Sequence, residues 1–184
     1  MFKLAEFIVR NPKRYNVRST YSMAHKVFVY GTLKQHEPNH HWLTNPNHGV
    51  ARFVAPGVTK TKYPLIIATR YNIPFLLFSP GNGCNVKGEV YEVDDVMLSK
   101  LDILEDHPNY YIRTMDDIII ERNRSLEKEV VCCWVYFLMN FKPELLNKQQ
   151  FENYSSSDTH GLPYMESNNE STLDDLDEDD VFKK

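Results

Sequence analysis

The chain has 184 residues, of which 42% are hydrophobic and 12% aromatic, and its formal net charge is −4. This length fits one domain with terminal extensions. The acidic balance argues against a general nucleic-acid-binding protein, because phosphate binding requires a basic surface. All apolar runs are shorter than the roughly 18 residues that a membrane-spanning helix needs, so no membrane association is expected.

Residues 1–24 form a basic extension in front of the predicted domain. The segment contains lysine and arginine against a single acid, Glu6, and it lacks the apolar block and cleavage site of a secretory signal. We expect a disordered extension of a cytoplasmic protein. The composition is also typical of a mitochondrial transit peptide, so targeting to that organelle is the alternative.

The first predicted elements are strands. An apolar run over residues 27–30 predicts a buried strand that ends at Gly31. A polar loop follows as far as residue 48, with a short helix near residues 40–43. Apolar and alternating patterns then predict strands over 51–60 and 64–69, a further apolar segment over 72–78, and a half-buried strand over 86–93.

One helix is predicted after these strands. Asp94 or Asp95 is a suitable N-cap, and apolar residues follow at helical spacing, namely Met97, Leu98, Leu101 and Leu104. The helix ends before Pro108, because proline disfavours the helical conformation of the residue before it. Two long strands over 110–121 and 129–139 follow as a hairpin, joined by a charged turn around 123–126.

Many short strands with one helix predict the fold class α+β, with a compact mixed β-barrel and peripheral helices. The predicted domain spans residues 25–165, and its last part, 155–165, is an ordered segment that crosses the domain. Residues 166–184 contain eight acids and few apolar residues, so we predict a disordered acidic tail.

The end of the first strand is a candidate binding site. Gly31 directly follows a buried strand, and a glycine there lets the backbone turn sharply, so that several N–H groups point at one spot. Such a concavity binds anions, including carboxylates. The residues alone leave open the alternative of an ordinary strand-to-loop turn.

Glu105 is a candidate acid/base, because it lies at the last turn of the predicted helix, near the edge of the apolar stripe. The C-terminus of a helix is electronegative and destabilises a nearby anion. Partial burial also favours the neutral carboxyl, so its pKa should rise. A carboxyl of this kind exchanges protons near neutral pH. The alternative is a glutamate that faces water.

Other chemistries find less support. His36 and His40 have the i, i+4 spacing of a zinc pair, but Pro38 lies between them and no further ligand motif accompanies them. Cys132 and Cys133 lie within a strand, where core packing is expected, and an odd number of cysteines indicates buried thiols in a reducing compartment. We therefore predict no metal and no cofactor.

Six short motifs occur in a fixed order between residues 25 and 164. They are VYGTLK over 29–34, YPL over 63–65, NIP over 72–74, VKGEVY over 86–91, LDILE over 101–105 and YIR over 111–113. In this order and spacing they resemble the γ-glutamylamine cyclotransferase family. The resemblance does not extend to the basic extension or to the acidic tail.

The resemblance implies a mixed barrel with helices on its outside. It implies that Glu105 is the catalytic proton acceptor, and that the glutamyl moiety of a substrate is bound by Tyr30, Gly31, Thr32 and Leu33. From its position in the last motif, we add Tyr111 as a residue that hydrogen-bonds near the site.

The implied reaction is the cyclisation of the γ-glutamyl group of a γ-glutamylamine, such as γ-glutamyl-ε-lysine, to 5-oxoproline with release of the free amine. The enzyme would be a monomer that acts on a small molecule. Two alternatives remain open at this point. One is the same reaction on γ-glutamyl amino acids or glutathione, and the other is a non-catalytic protein-binding member of the same fold.

Overall fold

The computed structural model describes residues 24–121, 128–157, 162–165 and 181–182. In chain order its strands are β1 (His25–Val29), β2 (Ala51–Thr59), β3 (Leu65–Ala68), β4 (Ile73–Leu76), β5 (Lys87–Val93), β6 (Ile112–Glu121), β7 (Lys128–Phe137) and β8 (Gln150–Phe151). The α-helices are α1 (His41–Thr44) and α2 (Asp95–Leu104), and short 3₁₀ helices cover Pro46–His48 and Pro143–Asn147.

Five strands close into a barrel in the order β1, β5, β2, β6, β7. All neighbours in this barrel are antiparallel except β1 and β7, which pair in parallel and complete the closure. A small second sheet has the order β4, β3, β8. The α+β class and the mixed barrel that the sequence predicts are confirmed.

Two apolar cores lie on the two sides of the barrel wall. One includes buried side chains from each of the five barrel strands, such as Phe28, Ala55, Val90, Ile118 and Val135. The other packs the outer side of the wall against α2 and the small sheet. Strands whose two faces are both covered carry apolar residues on both faces, which explains the near-continuous apolar runs in the sequence.

Helix α2 follows the sequence prediction closely. The Asp94 side chain caps it by accepting a hydrogen bond from the Met97 N–H at 2.8 Å. Met97 and Leu101 are completely buried, while Leu104 is partly buried against the same core. No helix in the described ranges is both long and apolar enough to cross a membrane.

One part of the cysteine prediction is wrong. Cys133 is buried, whereas Cys132 is exposed and Cys84 is partly exposed. Successive side chains of a strand point to opposite faces, so two adjacent cysteines of β7 cannot both lie in the barrel core. All three thiols are free.

The acidic tail also differs from the prediction at two positions. Val181 is buried in the core next to α2, and its carbonyl accepts a hydrogen bond from the Lys142 N–H at 3.0 Å. The ring of Phe182 meets that of Tyr110 edge-on, with 4.6 Å between the centroids. An apolar pair inside an acidic segment thus packs on the domain, because it covers an apolar surface.

The other predictions on terminal and loop segments lie outside the described residues. These are the basic extension up to residue 23, the charged turn around 123–126, the centre of the segment 155–165 and the rest of the acidic tail. The predicted domain boundaries stay predictions.

Leu101 and Ile103 allow a matched test of how α2 is held. Leu101 is completely buried, whereas Ile103 on the same helix is 68% exposed. We expect Leu101→Ala to lower the free energy of unfolding by about 2–5 kcal/mol, since it removes buried methyl groups and leaves a cavity. Ile103→Ala should change it by less than about 0.5 kcal/mol. Urea denaturation of both variants measures the difference, and equal losses would contradict this account of the packing.

Candidate active site

A cavity of about 180 Å³ opens where the end of β1, the start of β4 and the end of α2 meet. All six residues that the sequence analysis selected line it, namely Tyr30, Gly31, Thr32, Leu33, Glu105 and Tyr111. They come from two regions that are far apart in the sequence, residues 30–33 and residues 105–111. The fold therefore brings the two candidate sites, the strand-end turn and the helix-end glutamate, into one cavity.

Glu105 directly follows α2 as its C-cap residue, and both of its backbone groups are bonded. Its N–H donates to the Leu101 carbonyl at 2.9 Å, and its carbonyl accepts from the Tyr111 N–H at 3.3 Å. The backbone of Glu105 is therefore fixed relative to Tyr111, another residue of the cavity wall.

The carboxyl group of Glu105 has an unusual environment. It makes no hydrogen bond or ion pair with any residue in the described part of the chain. The residue is partly accessible from the cavity, but protein surrounds it, and burial raises the pKa of the Glu105 carboxyl to about 7. At neutral pH both protonation states are therefore populated, as general acid–base catalysis requires.

The turn after β1 presents unused backbone donors. Within the described ranges, the N–H groups of Gly31, Thr32 and Leu33 have no acceptor in the protein. The turn is held from behind by Asn39, whose N–H donates to the Thr32 carbonyl at 2.9 Å and whose Nδ2 donates to Thr32 Oγ1 at 3.0 Å. Three consecutive free N–H groups in a fixed turn suit an anionic ligand.

Gly31 serves a different purpose from the one that the sequence predicts. Its backbone is not in the left-handed region, so the turn itself does not require glycine. Instead, a Cβ atom at this position would lie 2.6 Å from Cγ of Pro74. Glycine is needed because the turn after β1 and strand β4 approach each other closely at the cavity.

Tyrosine hydroxyls form a network beside the carboxyl. The Tyr30 hydroxyl donates to the Tyr136 carbonyl at 2.9 Å, and the Tyr136 hydroxyl donates to Asp102 Oδ1 at 2.7 Å. Nε of Arg113 lies 3.0 Å from the same Asp102 oxygen, and its guanidinium covers the ring of Trp134. This network links Tyr30 and Tyr136, two residues of the cavity wall, to Asp102 and Arg113.

Sequence reasoning did not select Tyr136 as a site residue. The structure places this residue in the cavity wall. Asp102 and Arg113 lie within the motifs LDILE and YIR but received no role. The occurrence of a charged residue in each motif was the available signal, and only the fold shows that the two side chains meet.

Burial raises the pKa of Tyr30 and Tyr111 well above the usual value for tyrosine. Burial also raises the pKa of Tyr136, where the hydrogen bond to Asp102 adds to the effect. These phenols therefore stay neutral and act as hydrogen-bond donors. The Tyr111 hydroxyl lies 3.5 Å from the Pro74 carbonyl, a weak contact at the limit of hydrogen bonding.

His40, in the loop after β1, contacts the turn. Nδ1 of His40 lies 3.0 Å from the Leu33 carbonyl. His36 has a left-handed backbone conformation, with φ 66°. Across the ranges that the structure describes, no group of three or more His, Cys, Asp or Glu side chains is placed to share a metal ion.

A partly accessible, unpaired acid and free backbone N–H groups line one cavity of this barrel, and this arrangement suits acid–base chemistry on an anionic substrate. The family model for gamma-glutamyl cyclotransferase, AIG2-like, matches residues 27–157, and the chain belongs to this family of enzymes. The resemblance seen in the sequence motifs is thereby confirmed.

Individual relatives agree with this assignment. Gamma-glutamylaminecyclotransferase C of Danio rerio is 45% identical over 141 residues, which are 77% of this chain and 93% of the relative. Gamma-glutamylaminecyclotransferase of Mus musculus is 44% identical over 144 residues, covering 77% and 96%. The crystal structure of an AIG2-like protein from Mus musculus superposes with a TM-score of 0.72 at 42% identity, covering 79% of this chain and 97% of that one.

The raised pKa of Glu105 predicts a pH-dependent stability difference between the wild type and Glu105→Gln. The carboxyl titrates at about 7 in the folded protein and near 4.5 in the unfolded chain. Between these values the unfolded state loses the proton while the folded state keeps it, so wild-type stability falls as pH rises. The neutral Gln variant lacks this loss.

We therefore expect Glu105→Gln to gain stability relative to the wild type as pH rises from 5 to 8, by up to about 3 kcal/mol. Urea denaturation at each pH measures the difference. Glu144→Gln at an exposed position is the control for the loss of one negative charge. A difference that does not grow with pH would show that the pKa of Glu105 is not raised by folding.

The contact between Gly31 and Pro74 predicts a coupled pair of substitutions. Gly31→Ala should destabilise the protein by about 1–3 kcal/mol, because the new methyl group overlaps the Pro74 ring. Adding Pro74→Ala removes the Cγ atom and leaves a Cβ atom at 3.6 Å, an ordinary contact distance. The double variant should therefore lose less than the sum of the single losses in denaturation experiments. Strict additivity would contradict the proposed close approach.

Proposed function

We propose that this enzyme cyclises the γ-glutamyl group of γ-glutamylamines to 5-oxoproline and releases the free amine. The observation that carries the proposal is the unpaired carboxyl of Glu105, with a pKa of about 7, in the same cavity as the free N–H groups of the strand-end turn. The names of the relatives from zebrafish and mouse support the choice of a γ-glutamylamine as substrate.

Binding would begin with the α-carboxylate of the glutamyl group. The N–H groups of Gly31, Thr32 and Leu33 are donors without an acceptor in the described parts of the protein. A carboxylate that accepts several backbone N–H groups is held in a defined orientation without a cationic side chain. This orientation leaves the α-amine and the γ-carbonyl inside the cavity with Glu105.

The nucleophile belongs to the substrate. The α-amine attacks the γ-carbonyl carbon, a carbon–nitrogen bond forms, and the carbonyl becomes a tetrahedral oxyanion in a five-membered ring. Glu105 accepts the proton that the amine loses. The tetrahedral species then collapses, the bond to the leaving amine breaks, and Glu105 returns the proton to that amine. One carboxyl thus acts first as base and then as acid, so no serine or cysteine nucleophile is required.

Two physical effects contribute to the rate. A positioned acid–base group contributes typically about 10²–10⁴-fold. Holding the substrate folded, with amine and carbonyl in contact, removes the entropy that a free chain loses on cyclisation. Tyr30 and Tyr111 line the cavity together with Glu105. The Tyr111 hydroxyl has only a weak contact to Pro74 and would be a donor for the substrate.

We further propose that the protein works as a monomer in the cytoplasm on a small-molecule substrate. Three free thiols suit a reducing compartment. The leaving group that best fits the names of the relatives is an amine, such as the lysine side chain of γ-glutamyl-ε-lysine.

Release of 5-oxoproline from γ-glutamyl-ε-lysine, γ-glutamyl-alanine and glutathione tests the proposal. We expect turnover of γ-glutamyl-ε-lysine, and a loss of about 10²–10⁴-fold in kcat for Glu105→Gln, since Gln cannot accept a proton. Glu144→Gln should match the wild type. Preference for either of the other two substrates would redirect the proposal to the alternative cyclotransferase reaction. Folded wild type that releases nothing from all three would favour a non-catalytic binding role.

A further inference from the structure

The segment that follows β8, residues 152–157, is here called the strap. It starts at Glu152, whose carbonyl accepts a hydrogen bond from the Lys87 N–H at 2.7 Å. Its Tyr154 is completely buried in the core inside the barrel. The strap is therefore part of the packed domain, although none of its residues takes part in the proposed reaction.

Lys34 connects the strap to the substrate-binding turn. It comes directly after Leu33, and its side chain is buried, with 8% of the residue exposed. Its Nζ donates to Asn153 Oδ1 at 2.8 Å and to the Tyr154 carbonyl at 2.6 Å. A buried ammonium is unfavourable unless it is hydrogen-bonded. The two acceptors on the strap therefore stabilise the ammonium of Lys34.

Glu37 makes a second connection, with opposite charge. Its Oε2 accepts a hydrogen bond from the Ser156 N–H at 2.9 Å, and its own N–H donates to the Lys34 carbonyl at 3.1 Å. Burial lowers the pKa of Lys34, while the charges of Glu37 and Glu89 oppose this effect. The loop after the turn is thus fastened to the strap by two charged residues that support each other.

The strap also contacts the segment that leads into β4, a second part of the cavity lining. The Tyr154 hydroxyl donates to the Asn72 carbonyl at 3.4 Å, directly before Ile73 and Pro74, which line the cavity. Pro74 in turn lies against Gly31. The strap consequently contacts both the turn after β1 and the segment that leads into β4, and these two segments line the cavity in which the glutamyl group would bind.

We propose that Lys34 is a positioning residue, which acts through the strap to hold the turn at Gly31–Leu33 and the wall at Pro74 at the spacing that binds the α-carboxylate of the substrate. This inference rests on the proposed function. Lys34 does not touch the reacting atoms, because both hydrogen bonds of its Nζ go to the strap. Its loss should weaken binding and leave proton transfer by Glu105 largely intact.

Lys34→Met is the first test, because methionine keeps much of the volume of the stem but cannot donate. We expect KM for γ-glutamyl-ε-lysine to rise about tenfold or more, the effect of losing hydrogen bonds from a charged donor, while kcat changes by less than about threefold. Lys87→Met is the matched control, since Lys87 Nζ bonds Glu152 of the same strap at 3.1 Å from an exposed position. It should alter neither constant.

Glu37 supplies a second pair of variants, in case Lys34→Met does not fold. Glu37→Ala removes the acceptor for the Ser156 N–H and should raise KM, whereas Glu37→Gln keeps an acceptor oxygen and should restore binding. A purely structural effect would lower the yield of folded protein, as seen by circular dichroism, without this split between KM and kcat.

Binding measurements on protein that carries Glu105→Gln test the role of Lys34 separately from the proposed reaction. Calorimetric titration with γ-glutamyl-ε-lysine should give a Kd about tenfold weaker or more when Lys34→Met is added to Glu105→Gln. Wild-type turnover with an unchanged Kd in the double variant would overturn the role of Lys34 and leave the proposed reaction standing. Wild type that neither binds nor turns over the substrate would overturn both.

Discussion

The carboxyl of Glu105 has no partner in the described part of the chain, and the contacts that hold helix α2 must compensate for this. Burial without a partner raises the pKa of Glu105 to about 7, which is unfavourable for stability at neutral pH. Helix α2 must therefore be held by other contacts, and it is, through the Asp94 cap and the buried residues Met97 and Leu101. The favourable contacts of α2 with its Asp94 cap and the core compensate for the unfavourable burial of Glu105 at the end of the helix.

The turn after β1, which lines the same cavity, also uses few specialised side chains. Its donors are backbone N–H groups, which cannot be placed by choosing a side chain and so depend on how the turn after β1 is supported. Asn39 supports the turn from one side and Gly31 lets Pro74 approach from the other. A carboxylate-binding turn of this kind needs rigidity more than charge.

Such a site matches a reaction whose nucleophile is already in the substrate. An intramolecular cyclisation needs a folded substrate and one group that moves a proton, and both requirements are met by elements at the ends of β1 and α2. The small barrel positions these ends, because β1 and β5 pair directly and α2 begins immediately after β5. The fold therefore supplies the geometry with few specialised side chains.

The sequence by itself determined strands β1 to β7, helix α2 with its Asp94 cap and the mixed barrel, because periodicity and capping depend on neighbours along the chain. It also selected Gly31 and Glu105 as candidate site residues. Only the tertiary structure decided that Pro74 explains the glycine and that Tyr136 lines the cavity. It alone decided that Cys132 faces outward and that the strap bonds Lys34. These contacts join residues that lie far apart in sequence or depend on which face of a strand points inward, and no local pattern specifies either.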